Sequence, residues 1–264
     1  MSSHHDQPRT LTATMELAIG TQKLKLNLVV PTDEVAPESM VPALRQLTNT
    51  IIDGVEDNAR NQGFEVSCKK GCGACCRQHV PISRAEARLL AELVEELPEP
   101  RRSKIKARFA SAMERLRASG LFEESLNFHL IDPRDRVALV GRYFKLGIAC
   151  PFLEEESCSI YADRPLICRE YLVISSPKHC ATLNGDEIER LKVPVSVSST
   201  FSKMEGAYEE GENPFLPLIL ALEWVEEHGR ECETRPGPSW VQQFFQDLSG
   251  SKIPDPDGPD TMLS

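Results

Sequence analysis

The chain has 264 residues, with 30 Lys and Arg against 40 Asp and Glu, so its formal net charge is −10 at pH 7. This acidic balance argues against nucleic acid or an anionic membrane as the main partner, because both bind to basic surfaces. Nine cysteines in 264 residues are a much smaller fraction than the roughly 8–10% found in secreted scaffolds built on disulfides. They are also clustered, which makes them the feature to explain.

The ends and the apolar segments bear on where the chain resides. The start, MSSHHDQPRT, is polar and lacks the apolar stretch of a signal peptide. The longest apolar run, 215–225, is shorter than the roughly 20 residues that a spanning helix needs. We therefore expect a soluble, cytoplasmic protein. In a reducing compartment, clustered thiols are metal ligands or reactive groups more often than disulfides.

The predicted elements begin with a β-hairpin. Residues 1–12 read as a disordered tail. Alternating apolar residues on both sides of Gly20 predict two strands, the second ending at Val30. Apolar residues at spacings of three and four then predict a helix capped by Ser39 and stopped by Gly63.

The middle of the chain is predicted to hold helices followed by strands. Ser83 and Glu86 fit a capping box at the start of one helix, and a second helix stops at Gly120. The β-branched and aromatic content of residues 137–148 predicts one or two strands. A weaker strand signal covers residues 193–197.

Two further helices complete the prediction, which is an α+β fold. Asn213 with the following proline predicts a helix that runs to Gly229, and Ser239 predicts the cap of a short last helix. Residues 249–264 are rich in proline and read as a second disordered tail. We expect residues 13–248 to form a single domain: an N-terminal hairpin and several helices around a small irregular cysteine-rich core.

The first cysteine group is CKKGCGACC. It supplies four candidate metal ligands, Cys68, Cys72, Cys75 and Cys76. Gly71 and Gly73 allow the backbone to fold tightly enough for several sulfurs to converge. Two lysines and Arg77 place positive charge beside the thiols, which favours the thiolate form that binds metal. Four cysteines within nine residues favour a metal site over an ordinary loop.

The second group is CPFLEEESCSIYADRPLICREY, with one more cysteine twelve residues after its last. It supplies the candidates Cys150, Cys158, Cys168 and Cys180. A turn over residues 154–157 would let Cys150 and Cys158 face each other, and a short helix starting at Arg164 would present Cys168. Buried cysteine also serves as a small apolar residue, so Cys150 and Cys168 have that alternative role. Cys180 is equally a structural thiol, and Cys232 is interpreted as incidental.

Eight sulfurs suit one or two sites of four thiolates. A four-cysteine zinc site and a [4Fe–4S] cluster both satisfy this number, and the spacing does not separate them. Adjacent side chains point in different directions, so Cys75 and Cys76 either serve two neighbouring sites or only one of them is a ligand. His79 and His179 are close enough in sequence to replace a sulfur, although surface positions are the commoner role for such histidines.

The charged residues of these segments are given local roles. The glutamate runs 92–96, 154–156 and 209–212 are interpreted as solvated helix faces or turns. Arg164 and Arg169 could bind an anion or donate hydrogen bonds to cluster sulfurs, or could pair with glutamates of the preceding turn. We favour the structural role for both.

The blocks CKKGCGACC, CPFL, CSIY and RPLICR occur in this order over residues 68–180. Together they resemble the YkgJ-type cysteine-cluster (CxxCxxCC) family, which is described as zinc- or iron-chelating, although the chain has one extra residue between Cys68 and Cys72. Flagellin lysine N-methylases are similar in this region, which suggests that some relatives modify proteins with an iron–sulfur centre. The resemblance implies metal chelation, with the ligands Cys68, Cys72, Cys75, Cys76, Cys150, Cys158 and Cys168.

Two hypotheses for function follow. In the first, the chain holds an iron–sulfur cluster, most simply [4Fe–4S], that supports redox or protein-modification chemistry. In the second, zinc stabilises an interaction module without catalytic activity, whose acidic surface meets a protein partner. The spacing of Cys68, Cys72 and Cys75 also occurs in radical SAM enzymes, but the chain lacks their repeated strand–helix units, and Ala74 stands where an aromatic residue is usual.

Overall fold

The computed structural model describes residues 9–19, 22–183, 185–205, 214–229 and 232–249. Most of the two predicted tails, and Asn213 as a predicted helix cap, lie outside these ranges. The single-domain boundary of 13–248 stays a prediction. None of the described helices is long and apolar enough to span a membrane.

The N-terminal hairpin is present. β1 (Thr10–Ile19) pairs antiparallel with β2 (Gln22–Pro31), in a register that joins Thr10 to Pro31. Alternation along β2 places Leu26, Leu28 and Val30 on a buried face, as the period of two requires. β1 begins inside the segment that was expected to be a tail, because its first residues pair with the end of β2.

The other regular elements of the described chain are short strands and helices. In order they are β3 (Glu34–Val35), α1 (Val41–Asn61), β4 (Pro81–Ile82), α2 (Arg84–Glu96), α3 (Arg101–Ala118), α4 (Phe122–Leu126), α5 (Pro133–Lys145), β5 (Leu153–Glu154), β6 (Ser157–Cys158), α6 (Leu166–Glu170), α7 (Pro177–Thr182), α8 (Val197–Glu205), β7 (Leu216–Pro217), α9 (Ala221–His228), β8 (Arg235–Pro236) and α10 (Gly237–Ser249). The short strands pair antiparallel as β3–β8, β4–β7 and β5–β6. The predicted α+β class is confirmed.

Both strand predictions in the second half were wrong. Residues 137–145 belong to α5, where Leu139 and Tyr143 lie one turn apart and are buried on one face. Asp132 caps this helix by accepting a hydrogen bond from the Arg134 N–H at 2.9 Å. Helical spacing and a cap therefore outweigh the β-branched composition. Residues 193–196 are irregular, and Val197 begins α8.

The predicted helix starts had mixed outcomes. Ser83 and Glu86 form the expected capping box of α2. Ser39 does not cap α1; it lies in a 3₁₀ turn, Pro37–Met40, that leads directly into Val41. The helix predicted to reach Gly229 is confined to α9, preceded by β7 and a 3₁₀ turn over Leu218–Leu220.

The buried side chains form two apolar cores. The first joins β2, α1, α8 and α10, and the second joins α2, α3, α5 and α9. The short helix α6 lies between them, because Leu166 is buried in the first core while Ile167 packs against the second. The segment that carries Cys168 is therefore anchored on both sides.

A buried carboxylate fixes α6 to α2. Glu86 Oε2 accepts hydrogen bonds from the Ser83 N–H and hydroxyl at 3.1 Å, and its Oε1 accepts from the Leu166 N–H at 2.7 Å. One side chain thus occupies the N-termini of two helices, where unpaired N–H groups and the helix dipole favour negative charge. Burial nevertheless raises the pKa of Glu86.

The two cysteine segments meet at Gly73. A Cβ at this position would lie 2.5 Å from the carbonyl oxygen of Glu156 and 2.5 Å from Leu153 Cδ1. The Cys150 N–H donates to the Cys76 carbonyl at 2.7 Å. Arg77 also forms a bidentate ion pair with Glu156, in which its Nη1 and Nη2 donate to the carboxylate oxygens at 2.9 and 2.5 Å. The first cysteine loop therefore lies directly on the β5–β6 hairpin.

Gly73→Ala should destabilise the metal-free protein by about 1–3 kcal/mol, because the added methyl would overlap backbone. Gly141→Ala is the matched control, since a Cβ there meets open space in α5 and should raise stability by up to about 1 kcal/mol. Denaturant unfolding measures both variants. Equal stability of the two would contradict the close approach.

Candidate metal centre

Six of the nine cysteines surround one cavity of about 70 Å³. They are Cys72, Cys75, Cys76, Cys150, Cys158 and Cys168. Most of the remaining wall is apolar, and it includes Phe152, Ile160 and Leu218. This volume exceeds the roughly 10–15 Å³ that a single water molecule requires, so the cavity between the thiols is large enough to hold a bound group.

Tight turns bring the first group to the cavity. The Cys72 N–H donates to the Lys69 carbonyl at 3.1 Å, and the Cys76 N–H donates to the Gly73 carbonyl at 3.0 Å. Gly71 lies within the first of these turns and has a φ of +94°, a conformation that glycine adopts without strain. The prediction that glycines allow a tight cysteine loop is therefore confirmed.

The second group reaches the cavity as expected from its sequence. β5 and β6 flank a turn in which Glu155 and Glu156 have positive φ, and the register pairs Leu153 with Cys158. Cys150 lies just before β5 and lines the cavity together with Cys158. The short helix α6 begins after Pro165 and carries Cys168.

Cys68 and Cys180 lie outside the residues that line the cavity. Cys68 Sγ accepts a hydrogen bond from the Val173 N–H at 3.4 Å and donates to the Tyr171 carbonyl at 3.7 Å. Cys180 is buried in α7. The eight predicted ligands therefore lie in one region, but the structure does not place them all around the same space.

Burial raises the pKa of several thiols in this region. It is the largest cause that raises the pKa of Cys68 to about 11 and that of Cys150 to about 12. The pKa of Cys168 is also raised by burial, with neighbouring thiols adding to the effect. For Cys75, a hydrogen bond with Cys76 raises the pKa more than burial does. A metal bound by these four thiols must therefore displace their protons.

Arg164 supplies the charge of this site. It is the one charged side chain among the described residues that line the cavity, and its guanidinium lies 4.0 Å from the ring centroid of Tyr161. Its Nε is buried without a hydrogen-bond partner. Its positive charge lowers the pKa of Cys75 and Cys158, against the effect of burial. A buried donor beside thiols is suited to a metal-bound sulfur.

Other charged residues tie the surrounding segments together. Arg169 has the local role that was predicted, donating to the Arg164 carbonyl at 3.1 Å and to Asn49 Oδ1 at 2.9 Å. The glutamate turn is not merely solvated, because Glu156 pairs with Arg77 and Glu154 pairs with Arg108 at 3.2 Å.

The remaining candidates lie away from the cavity lining. His79 is buried rather than at the surface; its ring stacks on Phe128 at 4.8 Å, and burial lowers its pKa to about 4. His179 Nδ1 pairs with a Glu187 carboxylate oxygen at 2.6 Å. Cys232 Sγ donates to Glu38 at 3.6 Å, far in sequence from both cysteine groups.

The donor set fits a thiolate-bound metal. All nine cysteines are free, and soft thiolates bind zinc and iron–sulfur clusters. Over the described ranges, no group of three or more Cys, His, Asp or Glu side chains is arranged so that it could hold a metal ion. Binding therefore requires the thiols to ionise and their side chains to rearrange, and the ligand assignment stays a prediction.

Comparison with known proteins supports this interpretation. Residues 67–192, a little under half of the chain, match the CxxCxxCC family model, described as a "putative zinc- or iron-chelating domain". No curated protein and no solved structure matches the chain. The match includes both cysteine groups and extends twelve residues beyond Cys180. Residues 67–192 therefore match the model of the family that the cysteine blocks resemble, the CxxCxxCC family.

Proposed function

We propose that the chain holds an iron–sulfur cluster, [4Fe–4S], and that this cluster supports redox or protein-modification chemistry. The observation that carries the proposal is the cavity of about 70 Å³ enclosed by six free thiols. A single zinc ion lies about 2.3 Å from each of its four sulfur ligands, so a zinc site leaves no empty space between the metal and the sulfurs. A cavity of this size therefore favours a larger group.

The residues of the wall would set the properties of the bound group. When bound, an iron–sulfur cluster supplies one-electron transfer at a potential tuned by hydrogen bonds and solvent exposure. Phe152, Ile160 and Leu218 exclude water from one side of the cavity. Arg164 offers its unpaired Nε–H to a sulfur and offsets part of the negative charge of the thiolates.

The second candidate is a zinc-stabilised module that binds a protein partner. It is favoured by the position of the cysteines, because Cys68 packs against the first core while Cys150 and Cys158 pack against the second. A metal there would join the two cores, which is the usual role of structural zinc. The acidic chain would then recruit a partner that presents a basic surface.

Both candidates require reduced thiols. Nine free cysteines, most of them in one region, would be oxidised in a disulfide-forming compartment. We therefore propose that the protein acts in a reducing compartment, in line with the cytoplasmic location expected from its sequence.

Protein purified without oxygen should be brown, absorb broadly near ~400 nm and contain iron and sulfide in comparable amounts. Metal and sulfide analysis together with absorption spectra measures this. Colourless protein with stoichiometric zinc and no iron would reject the cluster in favour of the zinc module.

Cys168→Ser should lower metal affinity by at least about tenfold, because a serine oxygen is a poor ligand for a soft metal centre. Cys232→Ser is the matched control and should keep its metal, since Cys232 contacts Glu38 rather than the cavity. Metal content after anaerobic reconstitution measures both. Full retention by Cys168→Ser, or loss by Cys232→Ser, would refute the ligand assignment.

The affinity of the metal-free protein for Zn²⁺ should rise more than about tenfold per pH unit between pH 7 and 9. The reason is that Cys68 and Cys150, with pKa values of about 11 and 12, stay protonated over this range, and each bound metal displaces their protons. Competition with a chelator, corrected for its own protonation, measures the slope. An affinity independent of pH would show that the thiols are already ionised.

A further inference from the structure

The first strand of the N-terminal hairpin has an outer edge without a partner in the described part of the chain. β1 pairs with β2 alone, and none of its backbone groups is hydrogen-bonded to a described residue outside this pair. Unpaired N–H and C=O groups along an edge form a template for another strand. An isolated two-stranded hairpin is only marginally stable, and sheets most often have about four to six strands. The edge of β1 is therefore suited to receive a further strand.

The hydrogen bonds of the hairpin show which residues face this free edge. The Arg9 carbonyl accepts from the Thr32 N–H at 2.8 Å, so these residues form a hydrogen-bonded pair. Such pairs alternate with non-bonded pairs along an antiparallel ladder. Thr10 belongs to a non-bonded pair, in agreement with its partner Pro31, which has no N–H to donate. The backbone groups of every second residue therefore point away from β2, and these residues are Thr10, Thr12, Thr14, Glu16 and Ala18.

The two edges of the hairpin differ in how they are protected against pairing. The outer edge of β2 carries Lys23 and Lys25, and its Pro31 carbonyl lies so close to Gly237 that a Cβ there would be 1.7 Å from the oxygen. Edge lysines, proline and covering backbone all hinder the addition of a strand. β1 contains neither Lys nor Pro, and Glu16 is its one charged residue. The edge of β1 therefore lacks the protection that β2 has.

The apolar face of the hairpin becomes more exposed toward the same edge. On β2, Leu28 and Val30 are 2% and 0% exposed. Directly opposite them on β1, Ala13 is half-buried and Leu11 is 38% exposed. The apolar face thus extends beyond the core that covers it. A strand added beside β1 would continue this face and remove more of it from water.

We propose that β1 pairs antiparallel with β1 of a second copy of the chain, so that the two hairpins form one four-stranded sheet in the order β2–β1–β1–β2. Dimers with two-fold symmetry are the commonest assemblies of soluble proteins, and they bring the same surface of each copy together. The proposal goes beyond the proposed function by assigning an interaction surface and its partner. It does not depend on metal binding, because β1 contains no cysteine.

The sequence of β1 is complementary to itself in a register centred on Thr14. In this register Thr14 lies opposite Thr14 of the second copy, and Thr12 lies opposite Glu16. All the residues that face the free edge then lie opposite one another, as the hydrogen bonds of an antiparallel pair require. No like charges meet, and threonine pairs across strands are favourable. On the apolar face the small Ala13 lies opposite the larger Met15, so the second copy fits this edge without a charge or size conflict.

Analytical ultracentrifugation of the full chain under reducing conditions tests the proposal. The wild type should form a dimer whose population rises with concentration. Thr14→Pro should raise the Kd of the dimer at least about tenfold, because proline removes the N–H groups that the two copies exchange at the centre of the interface. Asn27→Pro is the matched control. Asn27 lies directly opposite Thr14 in the hairpin, and its N–H faces the other edge, so this variant should keep the wild-type Kd.

Two charge variants test the register and leave every backbone N–H in place. Thr14→Lys would set two lysines opposite each other and should raise the Kd about two- to fivefold, whereas Thr12→Lys would face Glu16 of the second copy and should lower it by a similar factor. Both threonines are exposed on the same face, so either lysine should leave the fold intact. Equal effects of the two lysines on the Kd would reject the pairing about Thr14.

The remaining outcomes are equally decisive. A wild type that stays monomeric at every concentration would overturn the proposal, including the case in which β1 pairs with a strand of another protein. A dimer that persists unchanged in Thr14→Pro would show that the copies associate through a different surface, and would also overturn it. Metal content should be the same in all of these variants, so a failure here leaves the proposed function intact.

Discussion

The structure depends on the contact between the first cysteine loop and the β5–β6 hairpin. The two segments are about eighty residues apart, as in the Arg77–Glu156 pair with its separation of 79. Gly73 permits the close approach because it has no side chain. A hydrogen bond from the Cys150 N–H to the Cys76 carbonyl fixes the position of one segment against the other. Without this contact, the thiols of the two groups would not share a cavity.

The same contact creates an electrostatic cost that metal would relieve. Thiols that share a buried cavity resist ionisation, because burial disfavours charge and each thiolate repels the next. Arg164 lowers the pKa of two of them but does not overcome burial. A metal ion or cluster would supply the missing positive charge at the centre of the site, and coordination bonds would then hold the cysteines together.

Local sequence signals predicted the parts of the site but not their assembly. The Ser83–Glu86 capping box, the turn before Cys158 and the short helix of Cys168 each follow from neighbouring residues. The sequence of α5 was predicted to form strand because it is rich in β-branched and aromatic residues. It forms a helix instead, in which Leu139 and Tyr143, one turn apart, are buried on the same face. The Glu86 bond to Leu166, the placement of Arg164 and the position of Cys68 outside the cavity lining depend on tertiary contacts, for which the sequence carries no local signal.

The helices between the two cysteine groups explain why a metal would stabilise this fold. α2 to α5 leave the first group and return to the second, so the cysteines close a long loop. Closing such a loop costs conformational entropy that rises slowly with length, by about 0.6 kcal/mol for each doubling. A centre bound by both ends would fix this closure and hold the two cores together through α6. The coordination chemistry and the architecture therefore favour the same state. A bound metal would hold the closed loop in place, and the fold brings the two groups of ligands together.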